Sequence, residues 1–143
     1  MVHSAAIDVV VGGTVGPLPR RVVRDAVLHV LRGERREASV AITFLGVRRM
    51  QVMNQEYKAH DEPTDVLSFA LPLPDGRLTG DIYLCRYMAA REAHARGLPL
   101  REELLRLVVH GMLHILGHDH PDDATRTDSP MWRRQEQYVK ELS

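Results

Sequence analysis

The spacing of apolar residues along this chain changes period several times, from the two-residue alternation of strands to the 3.6-residue repeat of helices. Ile7 to Val11 is a β-branched run ended by Gly12-Gly13 and predicts a first strand. Pro17 and Pro19 then open a helix through about Leu31, with Val22, Val23, Ala26, Val27 and Val30 on one face and Gly33 closing it. Val40, Ile42 and Phe44 alternate with smaller residues over Ser39 to Leu45, a second strand. After Gly46 a helix runs to about Tyr57, apolar at Val47, Met50 and Met53. Asp61 to Pro63 reads as a turn and Thr64 to Phe69 as a third strand. Pro72, Pro74 and Asp75-Gly76 form a hairpin-like connection to a fourth strand, Gly80 to Cys85. A helix from Arg86 to about Arg96 stops at Gly97, Pro99 begins a long helix to Leu116, and a last helix covers roughly Pro130 to Leu142.

This order predicts an α+β fold: one mixed sheet of about four strands packed with about five helices, in a single domain over residues 1–143. The second half of the long helix is apolar nearly all round, through Leu104, Leu105, Leu107, Val108, Val109, Met112, Leu113, Ile115 and Leu116, so it belongs at the centre. Trp132, Tyr138 and Val139 are expected to pack the last helix onto the core.

Composition adds little. A hydrophobic share of 44% and a charged share of 27% are ordinary for a globular protein. No apolar run reaches the ~20 residues of a membrane span, and the N-terminus lacks the pattern of a signal peptide. The single Cys85 reads as a small core residue, which favours a reducing cytoplasm. Net charge is zero, but its distribution is uneven. Residues 1–60 hold 9 Lys/Arg against 5 Asp/Glu, an excess drawn from Arg20, Arg21, Arg24, Arg32, Arg35, Arg36, Arg48, Arg49 and Lys58. Such a face suits phosphates, although arginines on amphipathic helices often only solvate a surface.

The chemistry concentrates in His-Gly-Met-Leu-His-Ile-Leu-Gly-His-Asp-His, residues 110–120. His110 and His114 are one turn apart on the same helix face. Gly117 can end the helix in the left-handed conformation, letting the chain fold back and offer His120. Eight histidines in 143 residues make an i, i+4 pair alone weak evidence; the third histidine and the intervening glycine make it specific. Imidazoles on a buried helix need partners, and three converging rings leave a Zn²⁺ ion one open position. The spacing is that of a class of zinc proteases whose general base is a glutamate directly after the first histidine. Here that residue is Gly111, which cannot take a proton. The cage is kept and the base is lost, although a metal can itself lower the pKa of a bound water to about 7.

His110-Gly111-Met112-Leu113-His114-Ile115-Leu116-Gly117-His118-Asp119-His120 closely resembles the H-G-x-L-H-L-x-G-x-D-H motif of the bacterial YbeY family, with Ile115 for leucine. Pro63-Thr64-Asp65-Val66-Leu67-Ser68-Phe69 resembles that family's P-T-D-V-L-S-F segment, and Gly80-Asp81-Ile82 the strand opening after it. The resemblance runs from the second helix to the last and is weakest over residues 1–35. It implies a zinc-dependent, single-strand-specific endoribonuclease of ribosomal RNA 3′-end maturation and ribosome quality control, with His110, His114 and His120 as ligands. It also implies ribosomal small-subunit proteins and an assembly GTPase as partners. The family carries an arginine just after an aromatic residue before this segment; here Tyr57 is followed by Lys58, which keeps the charge and loses the bidentate fork. Lys58 is the catalytic candidate, stabilising charge that develops on the phosphodiester. Asp119 is expected either to hold a ligand imidazole or to stabilise the turn. Thr64, Asp65 and Ser68 are secondary candidates, while His118, His3, His29, His60 and His94 read as ordinary residues. Two alternatives stay open: another metal-dependent hydrolase such as a peptidase or esterase, and a ribosome assembly factor with a purely structural metal.

Overall fold

The computed structural model describes residues 8–13, 18–121 and 123–143. Within it the chain runs β1 (Asp8–Gly12), α1 (Arg20–Glu34), β2 (Ser39–Leu45), α2 (Val47–Lys58), β3 (Val66–Pro72), β4 (Leu78–Cys85), α3 (Arg86–Arg96), α4 (Leu100–Ile115), a short 3₁₀ helix (Ala124–Asp128) and α5 (Pro130–Leu142). The four strands form one mixed sheet in the order β1-β2-β4-β3. β1 and β4 flank β2 in parallel, and β3 pairs with β4 in an antiparallel hairpin. This is the expected α+β architecture.

Side chains alternate across the sheet as strand geometry requires. On β4, Ile82 and Leu84 enter the main core with α4, while Cys85 and Tyr83 join Met50, Met53 and Leu67 in a second cluster beneath α2. Cys85 is a buried core residue, as expected. α4 lies at the centre, packed by α1, α3, α5, β3 and β4. Its residues from Glu103 to Val109, with Gly111 to Leu113 and Ile115, are buried. Gly80 and Gly111 bring this helix close to the sheet: a β-carbon on Gly80 would meet the Ile115 side chain at 2.6 Å, and one on Gly111 would meet Ile82 at 2.9 Å. Tyr138 and Val139 pack α5 onto the core, whereas Trp132 is half-buried and lines a cavity.

Several boundaries differ from expectation, among them the start of the fourth strand, which is Leu78 rather than Gly80. The third strand begins at Val66 rather than Thr64, because β4 ends at Cys85 and α3 starts at the next residue, leaving Thr64 no ladder partner. At its other end the hairpin continues to Pro72, which an edge strand tolerates despite the missing N–H. The first helix passes through Gly33 and ends at Arg35, which takes the left-handed conformation at φ 56°. Gly33 is small for another reason: any β-carbon there would overlap the Tyr138 ring. Ile7 and Pro17, placed in predicted elements, lie outside the described residues. Among those residues, no helix is long and apolar enough to cross a membrane.

Candidate metal centre

Three elements bring the histidines together. His110 and His114 project from the last turns of α4, and His114 Nε2 lies 3.1 Å from His110 Nε2. Gly117, at φ 100°, turns the chain, while the Gly117 and His118 amides donate to the His114 and Leu113 carbonyls that the helix end leaves open. His120 then returns over the helix end, with its ring centroid 5.1 Å from His110 and 5.0 Å from His114. One ring nitrogen from each of the three lies within 4.8 Å of the others. Donors about 2.0–2.1 Å from a tetrahedral Zn²⁺ stand about 3.4 Å apart, so the set needs only a small closure to hold the ion.

The rings are in the state a cation needs. Burial dominates at His110 and, against the opposing Gln135 hydrogen bond and with added repulsion from His114 and His120, pushes its pKa down to about 4. Burial and then His120 also lower His114. Both are neutral lone-pair donors at neutral pH. Two rings have their Nδ1 turned to acceptors, His110 to Gln135 Oε1 at 2.6 Å and His120 to the Pro121 carbonyl at 2.8 Å. The donor set fits a divalent metal that favours imidazole.

The turn that carries His120 is tied down from outside the triad. Asp119 Oδ1 accepts the His120 backbone N–H at 2.9 Å, so of its two expected roles the geometry favours turn stabilisation. His118, set aside as ordinary, bonds Glu34 at 2.6 Å; Glu34 also accepts from Arg134 at 2.7 Å and Tyr138 at 2.5 Å. Arg36 donates to the Leu116 carbonyl at 3.3 Å. Glu34 therefore fastens α1, α5 and the ligand-bearing turn to one another.

Lys58, the last residue of α2, lines a cavity of about 250 Å³ with His110, His114, Val66, Ser68 and Ala70. Two segments far apart in sequence thus meet at the triad. Ser68 faces this cavity; Asp65 lines a separate one behind His110 with Arg106, Arg126 and Gln135, and burial raises its carboxyl pKa. The Thr64 hydroxyl donates to the Asp65 carboxylate at 3.5 Å. Among the other histidines, His29 pairs with Glu141 at 2.7 Å, His60 and His94 lie outside the triad, and His3 is outside the described residues. A larger cavity of about 730 Å³, lined by Arg32, Arg35 and Arg36, sits at the end of α1 and includes none of the triad. His110 and His114 line the smaller one.

Sequence reading missed Gln135 and the ion-pair group behind it. The available signal was its position: Met131, Gln135, Tyr138 and Val139 share the buried face of α5, and a lone amide on such a face must have a partner.

The chain is similar to known proteins over most of its length. Residues 19–143 match the family model described as Endoribonuclease YbeY. A protein named Endoribonuclease YbeY from Stenotrophomonas maltophilia (strain R551-3) is 39% identical over 107 residues, covering 70% of this chain and 66% of the relative. One of the same name from Thermotoga petrophila is 31% identical over 120 residues, covering 84% of this chain and 78% of that protein. The solution structure of TM1509 from Thermotoga maritima is similar at a TM-score of 0.66 and 26% identity, over 94% of this chain and 88% of that one.

Proposed function

Because this chain belongs to the YbeY endoribonuclease family, we propose that it is a metal-dependent endoribonuclease that cuts single-stranded RNA, as one domain over residues 1–143. The observation that carries the reading is the meeting of Lys58 with His110 and His114 in one cavity, with His120 closing the metal-ligand set. His110, His114 and His120 would hold Zn²⁺, whose chemistry there is Lewis-acid activation of the phosphodiester and of water. Lys58 supplies a positive charge next to that position, where the phosphodiester oxygens gain negative charge as the bond breaks. The floor formed by Val66, Ser68 and Ala70 is the antiparallel edge strand, which gives the cavity an open side for an extended strand.

We further propose that it acts in ribosomal RNA 3′-end maturation and ribosome quality control in the cytoplasm, with ribosomal small-subunit proteins and an assembly GTPase as partners, a reading that membership of the family supports. Gly111 argues against the peptidase alternative, since the residue after the first histidine offers no proton acceptor. The test is a substrate panel of single-stranded RNA, duplex RNA and peptide, each with Zn²⁺ and with chelator. Cleavage confined to single-stranded RNA and removed by chelator is expected. Peptide hydrolysis, or RNA cleavage indifferent to chelator, contradicts the reading.

A further inference from the structure

Gln135 is 1% exposed, on the α5 face that packs into the core, and its Oε1 lies 2.6 Å from His110 Nδ1. A buried amide costs free energy unless both its ends are bonded. Here both are. Gln135 Nε2 donates to Glu136 Oε2 at 3.0 Å, and Glu136 is gripped by Arg106, from Nε at 2.8 Å and from Nη2 at 2.9 Å. Arg106 is held in turn by Glu102 at 2.9 Å and by buried Glu103 at 3.0 Å. Burial opposes ionisation of Glu136, but the hydrogen bonds from Arg106 and Gln135 outweigh it and keep the carboxylate charged at neutral pH.

Donor and acceptor rules leave this chain of groups one arrangement. Arg106 can only donate, so Glu136 accepts. A carboxylate can only accept, so the amide end facing Glu136 is the NH₂ group. The Gln135 carbonyl therefore faces His110, and His110 Nδ1 must carry the hydrogen. A neutral imidazole has one such hydrogen, which leaves the lone pair on Nε2. That nitrogen is the one turned toward His114, 3.1 Å away.

We infer that Gln135, anchored by Arg106 and Glu136, is a positioning residue that selects the Nδ1–H tautomer of His110 and so presents Nε2 to the metal. The inference deepens the proposed function and rests on its assignment of His110 as a ligand. Without an acceptor at Nδ1 the two tautomers compete, and the Nε2–H form has no lone pair on the nitrogen that faces His114. His120 is set by a different acceptor, the Pro121 carbonyl at 2.8 Å. Loss of Gln135 thus acts on one ligand of the three.

Two readouts test this, and neither uses RNA, so failure of the nuclease reading is seen separately. Two-bond ¹H–¹⁵N spectra of metal-free protein, labelled at the histidine rings, report the tautomer of His110. Competition with a coloured chelator reports Zn²⁺ affinity. In the wild type, Nδ1 is expected to be protonated and Nε2 bare. Gln135→Leu removes the acceptor at similar volume; a mixed tautomer and a loss of roughly 10- to 100-fold in Zn²⁺ affinity are expected. Gln135→Glu keeps an oxygen toward His110 whether charged or neutral, since a neutral carboxyl can still donate to Glu136. It should restore both readouts. Protonated Nε2 in the wild type overturns the inference, as does a folded Gln135→Leu protein with unchanged tautomer and affinity. Failure of Gln135→Glu to hold the Nδ1–H form overturns it as well, and this comparison decides if the leucine variant does not fold.

Discussion

A β-carbon on Gly111 would lie 2.9 Å from Cδ1 of Ile82, and 3.1 Å from both of its Cγ atoms. Ile82 is fully buried and β-branched, so it has little room to retreat. The residue that denies this chain the protease base is therefore also one of the contacts through which α4 rests on β4. Placing a glutamate there would force a charge into a tight helix–sheet approach. Gly111→Glu is predicted to lower stability by about 3 kcal/mol or more, read as a drop in chemical-denaturation midpoint. Gly111→Ala should cost far less, because the helix-propensity gain of about 1 kcal/mol offsets part of the overlap.

Glu34 gives a pH-dependent prediction. Burial raises the pKa of this carboxyl, but hydrogen bonds from Tyr138, Arg134 and His118 more than reverse that, and the net value is below 4.5. A carboxylate whose folded pKa is depressed contributes stability above its unfolded pKa and loses it as pH falls through the folded value. Glu34→Gln should therefore be less stable than the wild type near neutral pH, by about 1–3 kcal/mol, with the gap closing as pH falls below the ordinary glutamate range. Denaturation curves across pH 3 to pH 7 measure this, and a gap that widens in acid would contradict the assignment.

Lys58 is predicted to act on turnover and not on metal binding. Lys58→Ala should reduce RNA cleavage by roughly 10²-fold, the usual cost of one charge-stabilising group, while Zn²⁺ content is unchanged. Lys58→Arg should match or exceed the wild type, because the guanidinium fork can hold two phosphate oxygens. Equal activity of the alanine variant would remove Lys58 from the mechanism.

Features that depend on neighbours in sequence were legible; those made across the fold were not. The helix-ending glycines at 97 and 117 follow from local backbone sterics, and both take positive φ, 67° and 100°. The triad likewise needs only a helical turn and one reversal. Gly33 looked like the same punctuation, yet it is small because of Tyr138, 105 positions later in the chain. The clamp from Glu34 to His118 spans 84 positions, and the bond from His110 to Gln135 spans 25. Periodicity carries no information on such pairs. It marks only that Gln135 occupies a buried helix position, not which atom it serves.

The central claim is that the three imidazoles hold a metal on which RNA cleavage depends. His114→Ala tests it most directly, with zinc content and single-stranded RNA cleavage measured on the same purified preparation. About one Zn²⁺ per wild-type chain and chelator-sensitive cleavage are expected, with both lost in the variant. A variant that has lost its zinc but still cuts RNA at the wild-type rate would contradict it.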